Sequence, residues 1–196
     1  MDDAGGPAAA GREALTLTGR LLVAAPELEQ PEFARTVVLL LEHGPDGAVG
    51  VVLNRPLEVA VASRFPEWAL SPVLAEPGVL FSGGPVEPDA VLLLALATPG
   101  DDDGLGMTWR VVMVPFGEAP DDAAEWAEGV RLFAGYAGWG GGQLEGELSV
   151  GAWYVVESEP DDLTAGRPDG LWRAVLRRQR GDLALLSGWT PDPELN

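Results

Sequence analysis

From about Gly19 onward the chain carries short apolar runs separated by clusters of proline, glycine and aspartate. Three of these runs, RLLVAAP (20–26), TVVLLLEH (36–43) and AVGVVLN (48–54), are rich in β-branched residues and predict strands. The turn between the second and third runs contains glycine, proline and aspartate, which favour tight reversals. We therefore expect the second and third strands to form a hairpin.

The rest of the chain mixes strand patterns with helical ones. Apolar runs predict strands at 78–86, 89–97, 107–114, 130–136 and 152–158. Helical spacing and start signals predict helices at 57–65, 120–129, 141–151 and 168–179. Because strands and helices do not alternate regularly, the pattern predicts an α+β fold with one mixed, largely antiparallel sheet and a few short helices.

The length of 196 residues suits a single domain. Residues 1–17 are small, polar and rich in glycine, alanine and proline, a composition typical of a disordered tail. We expect one domain over residues 18–190 and a loose C-terminal tail over residues 191–196.

Composition removes several classes of site. The chain has no cysteine and one histidine, His43, which excludes thiolate catalysis, disulfides and multi-histidine metal sites. All 12 basic residues are arginines, so the lysine of a Walker A loop is absent. Adjacent aspartates such as Asp101–Asp103 point apart, unlike the spaced ligands of a hard-cation site. We predict no metal and no cofactor.

Charge and hydropathy bear on partners and location. A formal net charge of −19 makes nucleic acid an unfavourable partner, because binding to phosphates needs a basic face. A local basic patch is compatible with the arginines between Arg173 and Arg180, but the overall field repels DNA. The longest apolar run, Ala90–Ala97, is too short to span a bilayer, and the N-terminus lacks the pattern of a secretory signal. We expect no membrane partner and a cytoplasmic location.

The segment GYAGWGGGQLEGELSVGAW (135–153) combines seven glycines with two tryptophans. The dinucleotide fingerprint G-x-G-x-x-G fails here, because Gln143 stands where the third glycine belongs. One interpretation is a strand–loop–helix unit whose first helical amides receive a small anion or a carboxylate. The other, which the usual role of glycine favours, is that the glycines let backbone pass close to Trp139 and Trp153.

The segment FSGGPV forms a rigid turn in which the amides of Gly83 and Gly84 could line a pocket. Ser82 lacks a nucleophile elbow of the G-x-S-x-G type, because Leu80 occupies the first glycine position. His43 is the one imidazole that could activate this serine, and nothing in the sequence pairs the two. We therefore expect no Ser–His mechanism and a structural role for His43.

Asn54 and Arg55, in the segment LNRP, end a hydrophobic strand just before a proline turn. Such a polar pair can cap the next helix. It can equally supply an amide and a guanidinium to a cleft. The sequence leaves both interpretations open.

Four segments keep a distinctive order and spacing between about Leu17 and Trp189. They are LTGRLLVAAPELEQPEFARTVVLLLEHGPDGAVGVVLNRPL, FSGGPV, GYAGWGGGQLEGEL with AWYVVE, and LWRAVLRR. Together they resemble the YqgE/AlgH family. The resemblance implies a one-domain α+β fold with a coiled, bifurcated sheet in a bacterial cytosolic protein, and it implies no established biochemical activity. Some family members carry the label of transcriptional regulator, without a DNA-binding motif behind it.

The family's signature segments, N-R-P, G-G-P and G-x-A-G-W-x-x-x-Q-L-E, map to Asn54–Pro56, Gly83–Pro85 and Gly135–Glu145. We expect these segments to form one cleft that binds a small anionic molecule or a peptide. The residues expected to line it are Asn54, Arg55, Gly83, Gly84, Trp139 and Gln143. The alternative is a regulatory or scaffold protein that acts through a protein partner, with the three segments purely architectural. No reaction is assigned.

Overall fold

A computed structural model describes residues 16–97, 110–115 and 117–190. This part of the chain contains nine strands, β1 (Leu21–Ala24), β2 (Val37–Gly44), β3 (Gly47–Val52), β4 (Pro56–Ala60), β5 (Val79–Ser82), β6 (Val86–Ala97), β7 (Arg110–Met113), β8 (Ala127–Gly140) and β9 (Trp153–Val156). It also contains seven short helices, α1 (Val61–Arg64), α2 (Pro66–Ala69), α3 (Pro120–Ala123), α4 (Gln143–Ser149), α5 (Pro160–Leu163), α6 (Leu171–Arg177) and α7 (Asp182–Leu186). A 3₁₀ turn, Pro168–Gly170, leads directly into α6.

The strands form one open, curled sheet in which β8 is shared by three neighbours. The main path runs β4-β5-β8-β3-β2-β1-β9, and β6 pairs with β8 and β7 beside this path. β8 is antiparallel to β3 and β6 and parallel to β5, whereas the other strand pairs are antiparallel. The α+β class, the mixed sheet and the β2–β3 hairpin predicted from the sequence are thus confirmed.

The sheet buries apolar side chains on both faces, because successive residues of a strand point to opposite sides. Val23 of β1 packs in one cluster with Trp172 and Val175 of α6. Leu22, one residue earlier, packs in a second cluster with Leu144 of α4. The two helices therefore cover opposite faces, and a third cluster gathers α1, α2 and α3 against β5, β6 and β8.

Three predicted elements differ from the structure. The helix expected over 57–65 is replaced by β4 and one turn of α1, because the start of this segment pairs with β5. The helix expected over 120–129 ends at Ala123, and β8 already begins at Ala127. β8 also continues to Gly140, where the glycine pattern predicts a loop, because its last residues pair with β3.

The ends of the chain are described from Thr16 to Thr190, so most of the two predicted tails lies outside the described residues. Residues 98–109 are likewise outside, including the first part of the strand predicted over 107–114. The backbone N–H of Leu17 donates to Nδ1 of His43 at 3.2 Å, and its side chain packs against the second cluster. No helix within the described ranges combines the length and the apolar character that crossing a bilayer requires.

Candidate functional site

Asn54 lies two residues beyond β3 and holds the loop that precedes β2. Its side chain is buried; Oδ1 accepts the backbone N–H of Val37 at 2.9 Å, and Nδ2 donates to the carbonyl of Arg35 at 2.9 Å. Because β4 follows Asn54, there is no helix here to cap. The side chain instead fixes the backbone at Arg35.

Arg35 has a left-handed backbone conformation, with φ 57°. For a residue with a side chain this conformation costs roughly 1–2 kcal/mol, so the surrounding contacts must hold it in place. Its guanidinium carbon lies 4.9 Å from the ring centroid of Trp189 and 6.0 Å from that of Trp172. Its Nη2 atom is shielded from solvent and has no hydrogen-bond partner. The fold therefore aims this cation between two indole rings without neutralising it.

Two further arginines reach the same place from other elements. Arg55 donates a hydrogen bond from Nη2 to the carbonyl of Ala34. Arg173 of α6 donates from Nη1 to the carbonyl of Ser187 at 2.5 Å and from Nη2 to the carbonyl of Trp189 at 3.1 Å. The acceptors are neutral carbonyl groups, and neither guanidinium forms an ion pair among the described residues.

These side chains line a recess of about 250 Å³. Its lining residues are Arg35, Asn54, Arg55, Asp169, Trp172 and Arg173. Within residues 16–97, 110–115 and 117–190, no carboxylate forms an ion pair with any of its three guanidinium groups. Each guanidinium carries five N–H donors, and three backbone carbonyls accept from the donors of Arg55 and Arg173. We call this site the arginine recess.

Arg178, just beyond the end of α6, shows how the same chain neutralises an arginine. Its Nη1 and Nη2 atoms lie 2.6 Å and 2.7 Å from the two carboxylate oxygens of Asp162, and Glu159 lies 3.4 Å from its Nε. Burial lowers the pKa of Arg178, but the hydrogen bond and the charge of Asp162, with the charge of Glu159, raise the pKa overall. The arginines of the recess have no such partners.

Gly83 and Gly84 lie at a strand junction, where the neighbour of β8 changes from β5 to β3. The N–H of Gly83 donates to the carbonyl of Ala134 at 2.8 Å. A Cβ on Gly83 would lie 2.2 Å from the carbonyl oxygen of Gly135, and one on Gly84 would lie 2.3 Å from the carbonyl carbon of Tyr136. Two backbone segments approach so closely here that no side chain fits, which explains why both positions are glycine. The N–H of Gly83 already has an acceptor in the chain.

Trp139 and Gln143 belong to a different polar group, which we call the Glu147 cluster. Oε2 of Glu147 accepts the indole N–H of Trp139 at 2.9 Å and that of Trp153 at 2.7 Å. Oε1 accepts the side-chain amide of Gln143 at 3.1 Å. Phe33 packs on both indoles, with ring centroids 6.2 Å and 5.5 Å away. The three aromatic rings therefore pack against one another, and the two indoles share one half-buried carboxylate.

His43 is engaged on both ring nitrogens. Nδ1 accepts the backbone N–H of Leu17, which leaves Nε2 to donate to Oε1 of Glu145 at 3.1 Å. This arrangement fits a structural histidine and gives no pairing with Ser82.

The predicted site residues are thus divided among three places. The N-R-P pair lines the arginine recess, the G-G-P glycines form the strand junction, and the A-G-W residues lie in the Glu147 cluster. The lining of the recess does not include the last four of the six residues. Ligand binding by those four residues stays a prediction.

Sequence reasoning missed four lining residues, namely Arg35, Asp169, Trp172 and Arg173. The helical pattern explains Trp172 as part of an apolar stripe and Arg173 as one of several basic residues, so neither points to a recess. A usable signal was the spacing of four between Asp169 and Arg173, which places opposite charges on one side of a helical segment.

The comparisons with known proteins agree on one family. A family model described as AlgH-like (DUF179) matches residues 21–184. A UPF0301 protein of Streptomyces coelicolor is 52% identical over 191 residues, which cover 94% of this chain and 97% of that protein. A UPF0301 protein of Thermobifida fusca is 43% identical over 196 residues, covering 93% and 96% of the two chains.

Two solved structures are similar to this one. A crystal structure of a protein from Corynebacterium diphtheriae has a TM-score of 0.79 at 38% identity and covers 92% of this chain and 96% of that one. The solution structure of the AlgH protein from Pseudomonas aeruginosa has a TM-score of 0.62 at 29% identity and covers 96% and 100% of the two chains. With a family model across most of its length and close relatives over nearly all of it, the chain belongs to the AlgH-like family.

Proposed function

We propose that the protein binds a small anionic molecule in the arginine recess. The observation that carries this proposal is the convergence of Arg35, Arg55 and Arg173 on one recess without an ion-paired carboxylate among the described residues. Like charges held together repel one another, and an anion between them removes that repulsion. Charge-assisted hydrogen bonds to guanidinium groups are also stronger and more directional than neutral ones.

The net charge of the protein strengthens this argument. A chain with 31 acidic and 12 basic residues has ample carboxylate to neutralise every arginine, as it does for Arg178. Three arginines in one recess without such a partner are therefore a local departure from the charge of the whole molecule. A local departure of this kind favours a specific anion over general electrostatic attraction, which an acidic protein would oppose.

The size of the recess limits the ligand. A volume of about 250 Å³ corresponds to about eight water molecules at their share of liquid volume, and thus to a ligand of roughly eight to ten non-hydrogen atoms. The lining includes one indole, that of Trp172, beside the polar groups. A compact metabolite with anionic groups fits these dimensions better than a nucleotide does.

Isothermal titration calorimetry at low ionic strength tests the proposal, with inorganic phosphate, glutarate and L-glutamate as probes. We expect at least one probe to bind with a Kd of about 1 mM or tighter, and Arg55→Gln to weaken that binding at least about tenfold. Arg177→Gln is the matched control, because Arg177 is exposed on α6 and outside the recess lining. If none of the probes binds, or if both variants weaken binding equally, the proposal is wrong.

The alternative function, a regulatory or scaffold role through a protein partner, stays a prediction. The large apolar side chains with the greatest exposure in the described chain are Leu70, Met113, Val150 and Leu185, and they lie on or beside four different elements. This distribution gives less support to a protein partner than the recess gives to an anion.

A further inference from the structure

We propose that the arginine recess selects an anion that also carries an ammonium group, with Asp169 as the residue that receives it. The ligand class is then a small acidic amino acid, and this inference rests on the proposed function. Its basis is the presence of one carboxylate in a recess that is otherwise arranged for anions.

Asp169 lies in the 3₁₀ turn that precedes α6, four residues before Arg173. This spacing commonly brings opposite charges together on a helix. Both side chains line the recess, yet the carboxylate of Asp169 forms no ion pair with Arg173, nor with another cation of the described residues. The carboxylate therefore stays available at the solvent-exposed side of the recess, while the arginines are half-buried.

A free carboxylate here has a cost for a purely anionic ligand. It repels the ligand and opposes the attraction of the arginines over the same short distances. An ammonium group on the ligand reverses the sign of that contribution and forms a charge-assisted hydrogen bond with Asp169.

The pattern of charges also matches this class of ligand. Three guanidinium groups and one carboxylate face the recess, and an acidic amino acid offers two carboxylates and one ammonium group in return. One guanidinium can take one carboxylate in the forked manner that arginine favours, and the other two guanidinium groups are left for the second carboxylate. L-Glutamate, with about ten non-hydrogen atoms, has the size that the recess volume indicates.

The experiment compares probes that differ by the ammonium group alone, L-glutamate with glutarate and L-aspartate with succinate. In the unaltered protein we expect each amino acid to bind about tenfold more tightly than its partner. In Asp169→Asn we expect the preference to vanish, because the amino acid loses affinity and the plain dicarboxylate gains it. Asp161→Asn, an exposed change of the same charge on α5, is the control and should leave the preference intact.

The outcomes separate this inference from the function on which it rests. If glutarate or phosphate binds in an Arg55-dependent manner and the amino acids show no advantage, the inference is overturned and the proposed function stands. A preference that survives in Asp169→Asn also overturns it, because the selectivity then has another source. If no probe binds at all, the proposed function fails and the inference fails with it.

Discussion

The arginine recess and the Glu147 cluster are two polar groups of one molecule that treat their charges in opposite ways. In the cluster, one carboxylate receives the indole N–H groups of Trp139 and Trp153 and the amide of Gln143. In the recess, the guanidinium groups donate to backbone carbonyls and Nη2 of Arg35 donates to nothing. The polar atoms of the cluster find their acceptors within the chain, whereas the guanidinium groups of the recess have no ion-pair partner among the described residues.

This difference shows which polar group is structural and which is a candidate for binding. Buried polar atoms are normally paired, because an unpaired one costs roughly 1–3 kcal/mol. A group that is paired internally contributes to stability and has little to offer a ligand. A group left unpaired contributes less to stability, and where it borders an open recess its accessible donors remain for binding. The two regions should therefore respond differently when their polar side chains are removed.

The largest effect is expected for Glu147→Ala. The substitution leaves the indole N–H groups of Trp139 and Trp153 without their acceptor, and each lost charge-assisted bond costs about 1.5 kcal/mol or more. We expect the free energy of unfolding in urea to fall by about 3 kcal/mol. Glu145→Ala, on the same helix, removes one bond to His43 and should cost less than about 1 kcal/mol. Equal losses in the two variants would show that the cluster is not a structural unit.

The second effect compares arginines with and without carboxylate partners. Arg178→Gln breaks the paired bonds to Asp162, whose side chain is 5% exposed, and should lower the free energy of unfolding by about 2 kcal/mol. Arg55→Gln loses a bond to one neutral carbonyl and should cost less than about 1 kcal/mol. Urea denaturation of both variants tests the contrast. A larger loss for Arg55→Gln would make the recess a structural feature.

A third environment is that of Arg131, which is 1% exposed and lies 4.2 Å above the ring of Phe81. It donates to the carbonyls of Glu76 and Ala165, while its Nε and Nη1 atoms are unpaired. Burial lowers the pKa of Arg131 from its ordinary value to about 10, so the folded state holds this proton less tightly than the unfolded chain. The charge therefore opposes folding at neutral pH.

Replacing this cation by an apolar side chain of similar length, Arg131→Met, should raise the free energy of unfolding by about 1 kcal/mol at pH 7. The folded protein releases the proton first as the pH rises from about 10 towards the ordinary pKa of an arginine. The cost of burying the charge is lost over that window, so the advantage of the variant should shrink when urea denaturation is repeated at pH 11. A variant that is less stable than the parent at pH 7 would show that the two carbonyls and Phe81 outweigh the cost of burial.

The smallest effect on stability is expected for Arg35→Asn. Asparagine tolerates the left-handed backbone better than arginine, and this gain of up to about 1 kcal/mol offsets the lost contacts with Trp189 and Trp172. The free energy of unfolding should stay within about 0.5 kcal/mol of the parent, while anion affinity falls at least about tenfold. Arg35→Val, which is β-branched, should be at least about 1 kcal/mol less stable than Arg35→Asn. Equal stability of the two variants would exclude backbone strain at this position.

The features that the sequence predicts correctly depend on neighbours along the chain. The β2–β3 hairpin follows from turn residues beside two apolar runs, and α6 follows from the apolar stripe of Leu171, Trp172, Val175 and Leu176. The features it misses depend on residues far apart. Pairing with β5 makes β4 a strand, and pairing with β3 extends β8 through its glycines.

The candidate site follows the same division. Asn54 and Arg55 could be predicted from the sequence because they end an apolar strand beside a proline, a position where polar residues are conspicuous. Arg35 could not be predicted in this way. Its place in the recess depends on a backbone conformation that the side-chain amide of Asn54, 19 residues later, holds. Arg173 reaches the recess through the packing of α6 against the sheet, and the local pattern gives the helix but not the place on the sheet where it packs.

The sharing of β8 by three neighbours has a consequence for how the protein is made. All three neighbours of β8, namely β3, β5 and β6, precede it in the chain. Gly47 of β3, for example, pairs with Gly140 at the end of β8. The earlier strands are synthesised first, so during most of translation the edges that will pair with β8 are unpaired. Unpaired strand edges can form wrong pairings. We expect the nascent chain to depend on chaperones until residue 140 has left the exit tunnel, and to fold as a whole once it has.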